Sequence, residues 1–400
     1  MVTPKLRFPE FKGGWVEKTL GEVSSDGMYG LNAAAKDFDG INKYIRITDI
    51  DETSNKFVPN PLCSPEGDLD PKFLLKENEL VFARTGASTG KSYLYDKKDG
   101  KLYFAGFLIK FHINKANPKF VFYNTLKSHY SNWVKVMSIR SGQPGINAEE
   151  YKRFQFKLPT LSEQEKIALF LSTVDKKIDF IEKKRDLWKT YSAGMMQQLF
   201  SQKLRFKEEN GEDYPDWETG TIKDVMVQKI RKVKKPESSY WRLGLRSHAK
   251  GTFHEFVTDP TKIAMDYLFV VRENDLILNI TFAWEHAIAL ADKEDENLLV
   301  SHRFPTYQFF ENVNPLFYKY FVKLPKFKYE LMNISPGGAG RNRVMRKNDF
   351  LKIEIPIPSK SEQNKIANFL SIIDNKLEQI EKEFIINQEF KKGLLQQLFC

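Results

Sequence analysis

The sequence predicts an α/β chain of two related globular domains, joined and spaced by two long antiparallel coiled-coil helices in a pseudo-twofold internal repeat. Three observations predict it. A stretch of 43 residues, Leu158 to Phe200, recurs without a gap at a constant offset of 199, with 20 identities. Apolar residues inside it fall in steps of four and three, the spacing of a coiled-coil seam. The sequence ahead of each copy is instead cut into short β-rich runs bounded by Gly, Asn, Asp or Pro, as strands are. Repeats of this kind settle the domain plan before anything else is read. The expected boundaries are a first domain over 1–159, a first helix over 160–203, a second domain over 204–358 and a second helix over 359–400.

The helices follow from the seam. In the first copy it runs through Ile167, Leu171, Val174, Ile178 and Ile181, then Trp188, Met195 and Leu199. In the second it runs through Ile366, Leu370, Ile373, Leu377 and Ile380, then Phe384, Leu394 and Leu398. Arg185 and Ser192 interrupt the first seam, and Asn387 and Lys391 the second. A proline followed by Ser162, with Glu165 three positions on, reads as a capping box; Asn364 replaces that Glu in the second copy and weakens the cap. Each helix would span about 38 residues, roughly 57 Å. A rod of that length cannot stand alone and must bury its stripe. The nearest partner is the other copy.

The first globular stretch begins with Leu6-Arg7-Phe8 and Trp15 and a short helix ending near Val23. Strands are expected at Tyr44 to Ile50, Glu79 to Ala83 and Leu108 to Phe111. A helix is expected from Pro118 to about Val136, then a loop from Ser141 to Asn147 and a last strand at Phe154 to Lys157. The second stretch repeats this order with little identity. Leu204-Arg205-Phe206 and Trp217 answer the opening, Tyr240 to Leu245 the first strand, Asn274 to Leu278 the second, and Pro336 to Asn342 the glycine loop. Nearly constant helices and divergent domains suggest two similar frames that present different surfaces.

Bulk properties narrow the chemistry. Lys and Arg total 62 against 52 Asp and Glu, a net charge of +10, which calls for a polyanionic partner without specifying a fold. Two cysteines, Cys63 and Cys400, can build neither a disulfide framework nor a zinc cluster. The six histidines, among them His112, His129 and His302, show no ligand spacing, so no metal site is expected. No signal peptide and no membrane-length apolar run is visible, and the expectation is a soluble, cytoplasmic protein. Gly90-Lys91-Ser92 ends like a phosphate-binding loop, but Thr85 stands where glycine is needed and Ser92 to Tyr95 reads as a strand. No methyltransferase or hydrolase signature is present, so no catalytic residue is nominated. The Arg231 to Lys235 run reads as a solvated loop or a phosphate contact.

Two variable domains, each followed by a helix that opens Pro-x-x-Ser-Glu-Gln-x-x-Lys-Ile-Ala, resemble the specificity subunit of Type I restriction-modification enzymes. The resemblance covers essentially the whole chain. It implies a non-catalytic subunit in which each variable domain reads one half of a split double-stranded DNA target. It also implies that the paired helices dock two modification subunits, which methylate adenine with S-adenosylmethionine, and that the complete complex adds ATP-driven, Mg-dependent restriction subunits. No cofactor is expected on this chain itself.

Residue chemistry supports a DNA partner independently. Arginine reads guanine edges, and Asn or Gln reads adenine; glycine lets backbone approach a phosphate. Candidate contacts in the first domain are Arg46, Arg84, Thr85, Ser88, Lys91, Arg140, Gln143 and Asn147. In the second they are Arg242, Arg246, Asn279, Thr281, Trp284, Arg341, Asn342 and Arg343. The bland alternative is that these loops are ordinary surface turns. Two other functions stay open at this level: a coiled-coil adaptor that reads no DNA, and a self-sufficient nucleotide-dependent enzyme.

Overall fold

The apolar-rich run Glu79–Ala83 is the central strand of the first globular body. The computed structural model describes residues 3–337 and 343–400. In it, this strand pairs antiparallel with Leu108–His112 on one side and Ser92–Leu94 on the other, and Met28–Tyr29 extends the sheet. It is buried on both faces. Leu80 and Phe82 enter one apolar cluster, while Val81 and Ala83 enter another, as the two-residue period of a strand requires. The second body builds the same sheet from Met226–Gln228, Thr306–Phe309, Leu276–Leu278 and Ile288–Leu290, in that spatial order. Leu276 and Leu278 face one cluster there, and Ile277 the other. Both central strands are preceded by a left-handed asparagine, Asn78 or Asn274, each at φ 65°, a conformation that asparagine tolerates better than most residues.

Divergence lies outside this shared sheet. The second body carries a five-stranded sheet in which the hairpin Tyr240–Leu245 with Thr252–Val257 forms one edge. The first has only two small pairs in that region, Lys43–Ile45 with Leu102–Phe104 and Ala35–Asp37 with Cys63–Pro65. The strand expected from Tyr44 to Ile50 stops at Ile45, and a single 3-10 turn, Ile47–Asp49, follows. Asp49 is the reason. It accepts hydrogen bonds from the Arg46 amide at 2.8 Å and from both forks of its guanidinium, which closes the turn. The expected helix from Pro118 to Val136 is two helices, Pro118–Asn124 and Ser128–Met137. Thr125 breaks it, because its Oγ1 donates back to the Phe122 carbonyl and also meets the Ser92 hydroxyl at 2.6 Å. In the second body the equivalent break, between Pro315–Phe321 and Pro325–Asn333, is marked by a proline.

The chain forms two compact units, Met1–Lys183 with Lys382–Cys400, and Lys184–Glu381, so each long helix gives one end to each unit. The helices span Leu161–Phe200 and Lys360–Gln397. In the first unit Ile167, Leu171 and Val174 pack with Leu394, Leu398 and Phe399, and Lys391 meets Asp175 at 2.7 Å. Rising numbers on one helix against falling numbers on the other make the segments antiparallel. In the second unit Leu199, Met195 and Trp188 join the cluster of Ile366, Leu370, Ile373 and Leu377, and Arg185 reaches Glu381 at 3.6 Å. Ile181 and Ile380 are buried as well, whereas Ile178 and Leu377 are only partly covered. Three of the four polar interruptions have partners: Lys391 and Arg185 pair with carboxylates, and Asn387 donates to the Glu383 carbonyl. Among the described residues no helix is long and apolar enough to cross a membrane.

The repeated Ser-Glu-Gln is a bracket between domain and helix, and not the expected capping box. Glu163, 2% exposed at its side chain, accepts both forks of Arg7 at 2.8 Å and the Trp15 indole at 3.3 Å. Glu362 accepts Arg205 and the Trp217 indole in the same way. Gln164 donates to the Pro159 carbonyl and accepts the Asn117 amide, while Gln363 does so with Pro358 and Asn314. The second helix is capped two residues earlier than expected, by Ser359 Oγ accepting the Glu362 amide. The side chains of Ser162 and Glu165, one turn too far in, lie exposed. The bracket also explains why Leu-Arg-Phe and the tryptophan recur: they are the other half of the same contact.

Candidate nucleic-acid interface

In the first body the strand Glu79–Ala83 runs out into Arg84, and the expected loop follows. Gly86–Ser88 make one 3-10 turn, with Gly86 at φ +72°, and Ser92–Leu94 continues as a strand. This loop is tied by main-chain bonds to the second expected loop. The Gly86 amide donates to Pro144 at 2.9 Å, Ile146 donates to the Arg84 carbonyl at 2.9 Å, and Thr85 bridges Gly145. Gln143 lies beside Gly86, its Nε2 3.5 Å from where a Cβ would stand. Two loops that are 55 residues apart (89 to 144) thus make one surface, closed further by Thr89 Oγ1 donating to the Pro144 carbonyl.

Arg84 sits at its centre. Its guanidinium lies 5.0 Å from the Tyr29 ring and 6.0 Å from the Phe107 ring, and its buried Nε has no hydrogen-bond partner. Phe107 is the directly opposed residue of the neighbouring strand, since the Arg84 amide donates to its carbonyl at 3.0 Å. Both rings are exposed. A guanidinium held over aromatic faces is attracted to them and its fork is thereby ordered.

The second body repeats the pairing. The Met345 amide donates to the Ile280 carbonyl at 2.8 Å, as Ile146 does to Arg84, and Ile280 donates to the Arg303 carbonyl at 2.9 Å. Trp284 hydrogen-bonds through Nε1 to the Thr281 carbonyl, and the Arg343 guanidinium lies 5.4 Å from the Trp284 ring. Next along the chain, Arg346, Lys347, Asn348, Asp349 and Lys352 line an open, largely basic depression of about 440 Å³. Lys347 Nζ reaches the His302 carbonyl at 3.5 Å, which joins the His302–Arg303 turn to the same surface.

Ion pairing sorts the expected contacts. Arg46 is committed to Asp49, Arg140 to Glu150 at 2.6 Å, Arg242 to Glu255 at 2.7 Å, and Lys91 to Glu52 at 3.0 Å. Arg246 donates to the Thr252 carbonyl and lies over the Phe253 ring. Asn147 and Asn279 serve the fold: Asn147 caps the helix Ala148–Lys152, and Asn279 accepts the Thr281 amide and hydroxyl. Ser88 gives only its carbonyl, to Lys91. Arg341 and Asn342 lie outside the described residues. Among the described residues, Arg84 and Arg343 therefore keep guanidiniums that meet rings and no carboxylate. Sequence reasoning missed Tyr29, Phe107 and Arg303. The signal for Arg303 was present at a different offset: the central strand pairs of the two bodies align 196 apart (83 to 279), while the helices align 199 apart. Among the described residues no cluster of His, Cys, Asp and Glu could hold a metal ion.

Comparison with known proteins decides the family. The model of the Type I restriction modification DNA specificity domain matches the chain twice, over residues 12–187 and 214–388. The chain belongs to that family. It is a specificity subunit, the DNA-recognition and non-catalytic component of such a system. Two relatives in Methanocaldococcus jannaschii are type I restriction enzyme specificity subunits designated MjaX and MjaVIII. MjaX is 25% identical over 351 residues, covering 81% of this chain and 78% of the relative. MjaVIII is 26% identical over 342 residues, covering 81% and 79%. The crystal structure of the Type I restriction-modification S subunit from M. genitalium shares the fold, with TM-score 0.61 at 14% identity over 100% of this chain and 99% of that one. The doubled family match coincides with the doubled bracket, so each copy of the specificity domain carries its own pinned helix start and its own loop pair.

Proposed function

We propose that each globular body, 1–159 and 204–358, reads one half of a bipartite DNA target through its loop pair. The helices over 160–203 and 359–400 would serve as spacers and as docking faces for two methyltransferase subunits. The observation that carries this reading is the repeated loop pair, fastened in both bodies by an equivalent main-chain bond, Ile146 to Arg84 and Met345 to Ile280, and holding arginines that lie over aromatic rings. Such arginines retain the flat fork that bidentate guanine contact needs. The helices supply a second kind of surface. Leu169 and Phe180 in the first unit, and Leu187 and Ile372 in the second, are each about two-thirds exposed although they belong to helices with an apolar seam. Apolar side chains outside the seam suit a protein partner. Restriction subunits, and the S-adenosylmethionine, ATP and Mg that the chemistry needs, belong to the rest of the complex in this reading.

A titration of the chain, assembled with its modification subunits, against random-sequence duplex over a salt series tests the DNA role. Affinity should fall steeply and linearly on a log–log plot as counterions are released. A coiled-coil adaptor without DNA contact would show no saturable binding at any salt.

A further inference from the structure

We propose that Arg303 is a specificity-determining residue of the second body, the counterpart of Arg84 in the first, presented from the opposite strand of the same cross-strand pair. The inference rests on the DNA-reading role above and goes beyond it by assigning the position. The main-chain bonds establish the equivalence. Arg84 donates its amide to the Phe107 carbonyl and accepts from Ile146; Ile280 donates its amide to the Arg303 carbonyl and accepts from Met345. Ladder pairing agrees, since Ala83 opposes Leu108 one step before Arg84 and Phe107, and Ile277 opposes Thr306 three steps before Ile280 and Arg303. The cross-strand station therefore holds arginine and an apolar residue in both bodies, with the strands exchanged: Arg84 and Phe107 in one, Ile280 and Arg303 in the other.

Residues directly opposed in an antiparallel pair leave the same face, with Cβ atoms roughly 4.5–5.5 Å apart. That distance exceeds the 3.4 Å rise between successive base pairs. Exchanging the arginine between strands thus keeps the chemistry at the station while shifting the point from which it reaches. The Arg303 side chain is exposed, and among the described residues Arg303 hydrogen-bonds through its main chain, the amide donating to Ser301 Oγ and the carbonyl accepting from Ile280. Other arginines of the second body are engaged: Arg231 with Asp275, Arg272 with Glu296, and Arg242 with Glu255. A long cation left open at the junction of both loops fits the acceptor-rich edge of guanine.

The test is a selection from a duplex library with randomised positions, using the chain assembled with its modification subunits. Wild type, R303A, R303K and R84A are compared, and their melting temperatures confirm folding. Expected for R303A is a drop of about 5- to 150-fold in preference at one base pair of one half-site, with the other half unchanged. R84A should do the same in the other half. R303K, which keeps the charge but loses the planar fork, should lose that base preference while keeping salt-dependent affinity. An unaltered motif in R303A, with or without a uniform loss of affinity, overturns the assignment and makes Arg303 at most a phosphate contact. Failure of wild type to enrich any split motif would instead overturn the DNA-reading role itself.

Discussion

Arg7→Ala removes one half of a buried bracket, and its consequence can be worked from the geometry. Glu163 is 2% exposed at its side chain, Arg7 17%, and the arginine supplies two of the three hydrogen bonds the carboxylate accepts. The Glu163 hydrogen bond holds the Arg7 guanidinium above its usual pKa. After substitution only the Trp15 indole at 3.3 Å is left to stabilise a buried negative charge. Removing one partner of a buried pair costs about 3–5 kcal/mol; the partial exposure of Arg7 places the expectation near the lower end, about 3 kcal/mol. The double variant R7M/E163L replaces the pair by apolar volume and should recover much of that loss. It still leaves the Trp15 N–H without an acceptor, at about 1–3 kcal/mol. Urea unfolding followed by amide hydrogen exchange reads both the size and the place of the effect. Protection should fall among residues of the unit that contains Glu163, and R205A should produce the same pattern around Glu362. A loss below about 1 kcal/mol in R7A, or a double variant less stable than either single one, would refute the bracket as a charged anchor.

Three further outcomes are expected. Leu171→Asp or Leu370→Asp, at fully buried seam positions, should cost several kcal/mol and abolish assembly with modification subunits, as read by size-exclusion chromatography; the partly covered Ile178 and Leu377 should tolerate charge better. Arg140→Ala should leave base preference intact and lower stability by about 1 kcal/mol, because that arginine is spent on Glu150, whereas Arg84→Ala should leave melting nearly unchanged and alter base preference. Burial lowers the pKa of His286, whose Nε2 donates to the Val322 carbonyl. The unfolded chain therefore takes up its proton first, near pH 6.5, and stability of that unit should fall as pH drops below this, by up to about 1.4 kcal/mol per pH unit. H286Q, followed by melting between pH 5 and 8, should flatten the slope.

The legible parts of the fold are those fixed by local pattern. The long helices declare themselves through their seam, and Glu79–Ala83 through a run too apolar for anything but an interior strand. The errors arise where one side chain overrides local pattern. Asp49 turns the chain back onto Arg46, and the Thr125 hydroxyl breaks a helix that no proline marks. The expected capping box fails because the helix already begins at Leu161, ahead of Ser162, while the neighbouring Glu163 serves an arginine 156 residues away. Of the proposed contacts, Arg140 and Arg242 read well as composition, but their carboxylate partners, Glu150 and Glu255, lie 10 and 13 residues off and follow no helical or strand period. Arg303 escaped because the central strand pairs do not share the offset of the helices. Loop apposition itself, Gly86 against Pro144, is a tertiary fact that neither loop announces.

The most direct test of the central claim is a genome-wide map of methylated adenine in cells carrying wild-type chain, no chain, or the Arg84→Ala variant. The account predicts a split motif that is present with wild type and absent without the chain. With Arg84→Ala the motif should be relaxed at one base pair in one half only, against a difference of about 1–3 kcal/mol for a lost bidentate contact. Persistence of the same motif in cells lacking the chain would contradict the account.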